Sequence, residues 1–298
     1  MADIFNDLKR TFRQGNIVVR LIYINTAVYI LGILLMVVLG LFNINISNLL
    51  QYLYLPADLL QILRRPWTLF TYMFMHAGIW HLLGNMLWLY WFGQLFLYFF
   101  SAKHLRGLYL MGGLMGGLLY VIAYNIFPVF RGQLYSATLV GASASVLAIA
   151  VATAVREPNY RINLMLIGQV KLKYLAIFIV LFDMLYVGTS NAGGHIAHLG
   201  GALAGWWFVR GIGNGYDITH WINVCVDFIG GLFCKRHKPR RPKMKVYTSN
   251  EKKADYDYNA KRKAQSDEVD RILEKLKKSG YGSLSEEEKR KLFDASNR

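Results

Sequence analysis

Residues 141–156 read GASASVLAIAVATAVR, and residues 195–212 read HIAHLGGALAGWWFVRGI. Each is an apolar run with helical periodicity, polar near its start and basic near its end. Ser143 precedes Arg156 by 13 residues, and His198 precedes Arg210 by 12. At 1.5 Å per helical residue, the serine and the histidine lie roughly 18–20 Å from the basic ends of their runs. In a hydrocarbon layer of ~30 Å with the arginines at one face, both sit at one depth, about 10 Å below the other face. The first run is too short to reach that far face. The segment before it, about 136–140, must therefore dip inward, which is permitted only where protein or a water cavity satisfies its backbone.

A membrane setting follows from composition. Of 298 residues, 54% are apolar and 17% charged, and the mean hydropathy is +0.27. The charge is uneven. Residues 235–298 hold 20 Lys/Arg and 11 Asp/Glu, whereas residues 1–234 hold only 14 and 7. One charge in about eleven residues cannot cover the surface of a water-soluble domain, which excludes a soluble enzyme for residues 1–234. Two cysteines, Cys225 and Cys234, exclude a disulfide scaffold. The net charge of +16 reads as membrane topology, and no nucleic-acid partner is expected. Asp3, Asp7, Lys9, Arg10 and Arg13 crowd the start, so no signal peptide is expected.

Six apolar stretches are read as spans: Leu21–Phe42, His81–Phe100, Leu108–Phe127, Gly141–Val155, Tyr174–Val187 and His195–Ile212. Lys9, Arg10, Arg13, Arg20, Lys103, Arg106, Arg156, Arg161, Lys171, Lys173 and the tail fall on one side. The opposite side has Arg64, Arg65 and Arg131. An excess of Lys/Arg marks the cytoplasmic side, so both termini are expected there. The link 43–80, with LLQYLYLPADLLQILRRPWTLFTYMFMH at 49–76, is broken by Pro56, Asp58, Arg64, Arg65 and Pro66. It reads as an external structure in or on the outer leaflet. Residues 213–245 read as a juxtamembrane linker, in which Asp217 and Asp227 argue against a seventh span. Its run KRHKPRRPKMK (235–245) suits lipid head groups. Residues 246–298 read as a small helical tail. One helix is expected from Ser266 through Leu276 to a stop at Gly280, and a second is opened by a Ser285/Glu288 capping box.

Polar groups inside a membrane are costly and mark function. They are His76, His81, Asn85, Ser143, Ser145, Asp183, His195 and His198. Ser143 and His198 match in depth. His198, Gly201 and Gly205 share one helix face, and the G-x-x-x-G lets a neighbouring helix come close. A serine at a helix start beside a histidine is the pattern of an activated nucleophile. Ser145 points about 200° away and reads as packing. His195 is the weaker candidate for the base. His76 reads as a structural residue that holds the external link by hydrogen bonds. Asp183 reads as lying too deep to partner the histidine and as a polar tie to another helix. No carboxylate or thiolate is expected to join His195 and His198 as a metal site, and no metal or cofactor is expected.

Together HAGIWHLLGN (76–85), GASAS (141–145) and AHLGGALAG (197–205) resemble the rhomboid intramembrane serine proteases, over roughly residues 18–212. The resemblance implies an all-α six-helix membrane bundle, preceded by a cytoplasmic segment 1–17. It implies a Ser–His dyad without a third acid, with Ser143 as nucleophile and His198 as base. His81, Asn85 and the Ser143 backbone N–H would stabilise the oxyanion. Gly141, Gly201 and Gly205 would be packing glycines. Substrates would be single-span membrane proteins cut near the outer end of the span, in a bacterial cytoplasmic membrane. Transmembrane substrates and lipids are the expected partners. Two positions depart from common family patterns: Thr68 follows Trp67, and Leu147 replaces a tyrosine whose ring can stack on the base. The rival readings are a non-catalytic relative that binds transmembrane clients, and a transporter.

Overall fold

The computed structural model describes residues 2–44, 47–164, 168–188, 191–233 and 249–296. The chain divides into two compact units, Met1–Cys234 and Lys235–Arg298.

The first unit is helical. Helix α1 (Ala2–Gln14) is amphipathic and leads into α2 (Ile17–Gly40), which Asn16 caps by accepting a hydrogen bond from the Val19 N–H. The link then forms three short helices, α3 (Ser47–Gln51), α4 (Leu59–Arg64) and α5 (Thr68–Thr71). Next come α6 (Ile79–Phe99), α7 (Ala102–Ile126), α8 (Ser143–Arg156), α9 (Leu172–Tyr186), α10 (Ala192–Gly213) and α11 (His220–Phe233). Helices thus stand at all six places read as spans. Two of them, α2 and α7, are long and apolar enough to cross a membrane on length and composition. At 14 and 15 residues, α8 and α9 are short, while polar, aromatic and glycine residues dilute the hydropathy of α6 and α10. The exterior is apolar: Leu31, Val37, Phe178 and Leu185 are all exposed.

The core is where α7, α8 and α10 meet, and it is built on absent side chains. A Cβ on Gly201 would strike the Ala144 carbonyl oxygen, and one on Gly205 would strike the Ala148 carbonyl oxygen. From the third side, a Cβ on Gly116 would lie 2.6 Å from the Ala144 Cβ and 2.8 Å from the Ala197 carbonyl. One on Gly112 would strike the Ala148 Cβ. Small residues let three backbones touch, and dispersion between them replaces the hydrophobic drive that lipid cannot supply.

Four small strands amend the all-α expectation. Strand β1 (Leu55–Pro56) of the link pairs antiparallel with β2 (Thr138–Leu139), the segment ahead of α8. Strands β3 (Arg161–Leu164) and β4 (Gly168–Lys171) pair between α8 and α9. The first pair shows what satisfies the inward-dipping backbone: Ala57 N–H donates to the Ala137 carbonyl, and Gly141 N–H donates to the Tyr72 carbonyl. The link is therefore no surface appendage. Tyr72 and Met73 are fully buried against Gly113 and Gly117 of α7, and the Tyr72 hydroxyl donates to the Gly113 carbonyl at 2.6 Å. Thr68 does not loosen it. Its hydroxyl donates to the Arg65 carbonyl at 2.7 Å, Trp67 Nε1 donates to the Tyr52 carbonyl at 2.9 Å, and the Arg65 guanidinium lies 3.6 Å over the Tyr52 ring.

Helix α11 packs within the first unit. Arg106 of α7 meets Asp227 at 2.8 Å and bonds Asn223 with two nitrogens. The basic run 235–245 lies outside the described residues.

In the second unit, α12 (Ser249–Ser279) begins well before the expected Ser266. No Gly or Pro interrupts 249–265, so nothing stops the helix there. Gly280, at φ +73, ends it. Helix α13 (Glu286–Ser296) opens on the capping box: the Ser285 N–H donates to Glu288 at 2.8 Å, and the Glu288 N–H donates to Ser285 Oγ at 3.3 Å. Lys275 adds an ion pair to Glu288 at 2.8 Å. Lys275 first, then the Ser285 N–H, hold the Glu288 carboxyl below its usual range.

Two predictions follow from this packing. Gly201→Ala should lower the thermal midpoint in detergent by an amount equivalent to about 1–3 kcal/mol, because its Cβ meets backbone. Gly84→Ala, which meets nothing within 4 Å, should be neutral or slightly stabilising. In the tail, a depressed carboxyl contributes stability above its unfolded pKa and loses it as pH falls through the folded one. Acidification should therefore cost wild-type helicity more than it costs Glu288→Gln, read by circular dichroism.

Candidate active site

Four elements converge on the start of α8. Gly141 precedes it with φ +124, a left-handed conformation that side-chain-bearing residues rarely adopt. A Cβ there would stand 2.7 Å from Cε1 and 2.9 Å from Nε2 of His81, and 3.7 Å from Ser143 Oγ. Gly141 lies in the approach to α8, and its missing side chain is the space that the His81 ring fills.

Ser143 is the first residue of α8 and is half-buried. Its hydroxyl sits where unpaired helix N–H groups and the positive end of the dipole gather. Ser145 is buried, and its hydroxyl has no hydrogen-bond partner among the described residues. On α6, the Asn85 amide donates to the His81 carbonyl one turn back at 2.9 Å, which occupies one of its two amide hydrogens.

His76 does not hold the link by hydrogen bonds. Both ring nitrogens are buried without a well-formed partner among the described residues, and the ring packs edge-on to His81 at 5.3 Å.

The largest departure concerns Asp183. It reaches both histidines of α10: its Oδ1 accepts from His195 Nδ1 at 2.8 Å and from His198 Nδ1 at 2.9 Å. The ligand-type atoms of the three residues lie within 4.8 Å of one another, so a carboxylate does join the histidine pair. These are donors of the kind divalent metals accept, here engaged with one another through protons. The signal was available by counting: Asp183 stands 12 residues beyond Lys171, about 18 Å up α9 and level with His198. Leu147 is buried in the apolar core and offers His198 no ring. With Nδ1 bonded to Asp183, Nε2 is the nitrogen His198 leaves for a neighbour.

The rhomboid domain family matches residues 63–214, about half of the chain. The chain belongs to the rhomboid family. Membership places it among integral membrane proteins, and every group of the site described above falls within the matched region. A similar protein is the RHOMBOID-like protein 12, mitochondrial, of Arabidopsis thaliana, 35% identical over 147 residues. Those residues are 45% of this rhomboid and 43% of that protein, so the chain spans less than half the length of its relative. Residues 252–298 match a separate family of unknown function, DUF6576.

Gly141→Ala tests the His81 cradle. It should shift the His81 ring resonances in NMR spectra and lower the thermal midpoint, whereas Gly132→Ala, with nothing within 4 Å, should do neither.

Proposed function

We propose that this rhomboid is an intramembrane serine endopeptidase with six spans and both termini on the cytoplasmic side. It cleaves single-span membrane proteins near the outer end of their helix. The observation that carries the reading is the seating of Gly201 on Ala144. Ala144 adjoins Ser143, and Gly201 lies one turn after His198, so this contact holds the two helices together where hydroxyl and imidazole face the same level.

Ser143 Oγ attacks the scissile carbonyl carbon while His198 Nε2 takes its proton. The tetrahedral oxyanion meets the opening N–H groups of α8, with the second Asn85 amide hydrogen and His81 as further donors. Collapse breaks the C–N bond, the leaving amine takes the proton from His198, and an acyl-serine remains. Water, deprotonated by His198, then attacks the acyl carbon; the ester bond to Oγ breaks, the acyl half leaves as a carboxylic acid, and His198 returns the proton to Ser143. Counting up from Arg156 supports a start of α8 below the far face, where water would meet a membrane-embedded bond. A substrate helix has to unwind to expose that bond, so small or helix-breaking residues at the cut favour cleavage.

The charge bias of the links supports the topology, with the inner face that of a bacterial cytoplasmic membrane. The name of the plant relative places that protein in mitochondria. A second reading, a non-catalytic binder of transmembrane clients, has one observation on its side: Ser143 and His198 share no hydrogen bond among the described residues. Such bonds commonly tighten only with substrate bound.

A fluorophosphonate probe separates the two. Purified wild type should be labelled at Ser143 and should cleave a single-span substrate in detergent. Ser143→Ala and His198→Ala should lose both while remaining folded. Asn85→Ala should lower kcat by about 10²–10³ with a smaller effect on KM. A folded wild type that neither labels nor cleaves supports the client-binding role.

A further inference from the structure

We infer that Asp183 is the positioning residue for His198, making the site a Ser143–His198–Asp183 relay in which His195 holds the carboxylate. The inference rests on the proposed protease reading for its kinetic consequences, and on the geometry alone for the state of the ring.

An ionised carboxylate only accepts hydrogen bonds. For Oδ1 of Asp183 to bond His198 Nδ1 at 2.9 Å, that nitrogen must carry the proton. A neutral imidazole protonated on Nδ1 presents a lone pair at Nε2, the form that accepts a proton from a serine. The opposite tautomer presents Nε2–H and cannot act as a base. Asp183 thus selects the competent tautomer, fixes the ring plane, and faces the positive charge that develops on His198 when it takes the proton.

The placement of Asp183 shows what it is there for. Its side chain is 3% exposed, and a carboxylate so placed on a mostly apolar helix is costly unless hydrogen-bonded. Oδ2 has no partner among the described residues, so the compensation for burying the carboxylate comes through Oδ1 and the two imidazoles. His195 supplies the second donor at 2.8 Å, and its ring is flanked by Phe182 at 6.2 Å and Tyr186 at 5.9 Å between centroids. His195 and His198 are three residues apart on one face of α10, so a single oxygen of α9 clasps both. The Leu147 side chain has neither a ring to stack on His198 nor a polar atom to bond it. Among the described residues, the hydrogen bond that holds the His198 ring is the one its Nδ1–H donates to Asp183.

The test uses the full chain with ring-¹⁵N histidine in detergent, with the His198 signals assigned by their loss in His198→Gln. In Ser143→Ala protein, which needs no activity, His198 should be protonated on Nδ1 and bare on Nε2. Asp183→Asn, of matching shape, can donate its amide to Nδ1 and should shift the ring toward the Nε2–H form. In the active background, Asp183→Asn and Asp183→Ala should lower kcat by about 10²–10⁴ with KM within about threefold, and Asp183→Glu should recover part of the loss. A His198 ring protonated on Nε2 in the unsubstituted site overturns the inference, whatever the variants do. So does a folded Asp183→Ala enzyme with kcat within about twofold of wild type. If wild type neither labels nor cleaves, the protease reading fails, and the tautomer still decides the role of Asp183.

Discussion

The contact of α10 on α8 through Gly201 and Gly205 is the constraint on which the rest depends. At both positions a single carbon would strike a backbone carbonyl. Inside a membrane, helices gain nothing by hiding apolar side chains from lipid, so they associate by close fit and by polar bonds. Here the fit reaches backbone, and α7 completes it with Gly112 and Gly116. Because the helices touch at Ala144, the residues beside that contact are held in place: Ser143 one residue before it on α8, and His198 one turn before Gly201 on α10.

The polar groups are organised around that seam. Placing Asp183, His195 and His198 together costs desolvation, and the two hydrogen bonds offset it only while α9 stays against α10. On the opposite flank, His81 occupies the space left by Gly141, and His76 backs it with a ring edge and no well-formed hydrogen bond. The two flanks differ in kind. The α9 side is tied by hydrogen bonds to one carboxylate oxygen, whereas the α6 side is set by shape. The link joins them to the fold, since β1 pairs with β2 and Tyr72 accepts from the Gly141 N–H, fixing the approach to Ser143 from outside the bundle.

Much of this was legible in the residues. Apolar stretches located α2 and α6 to α10, although α7 begins six residues before the expected Leu108, and counting from Arg156 and Arg210 gave Ser143 and His198 nearly equal distances along their helices. The spacing of His198, Gly201 and Gly205 named the face on which α10 packs, and Ser285 with Glu288 named the start of α13. These features are periodic or local, so a one-dimensional reading carries them. The start of α12 was missed because a capping residue in sequence, Ser266, stands within a helix that has nothing to end it upstream.

The sequence by itself therefore determined where the longer apolar helices lie, the spacing of residues along each and the residue types available for chemistry, while the short helices of the link and α11 became visible only in the structure. The tertiary structure alone decided the rotation of each helix about its axis and the pairing of distant segments. Depth follows from counting 1.5 Å steps, but which way a side chain turns is set by the neighbours that pack against it. Asp183 stands level with His198 in sequence arithmetic, yet only the docking of α9 on α10 aims its Oδ1 at both imidazoles. Gly141 is visible as a glycine in a run of small residues, yet only the position of His81 shows why a side chain has no room there. The β1–β2 pair joins residues more than 80 apart through backbone bonds, which leave no mark in side-chain pattern.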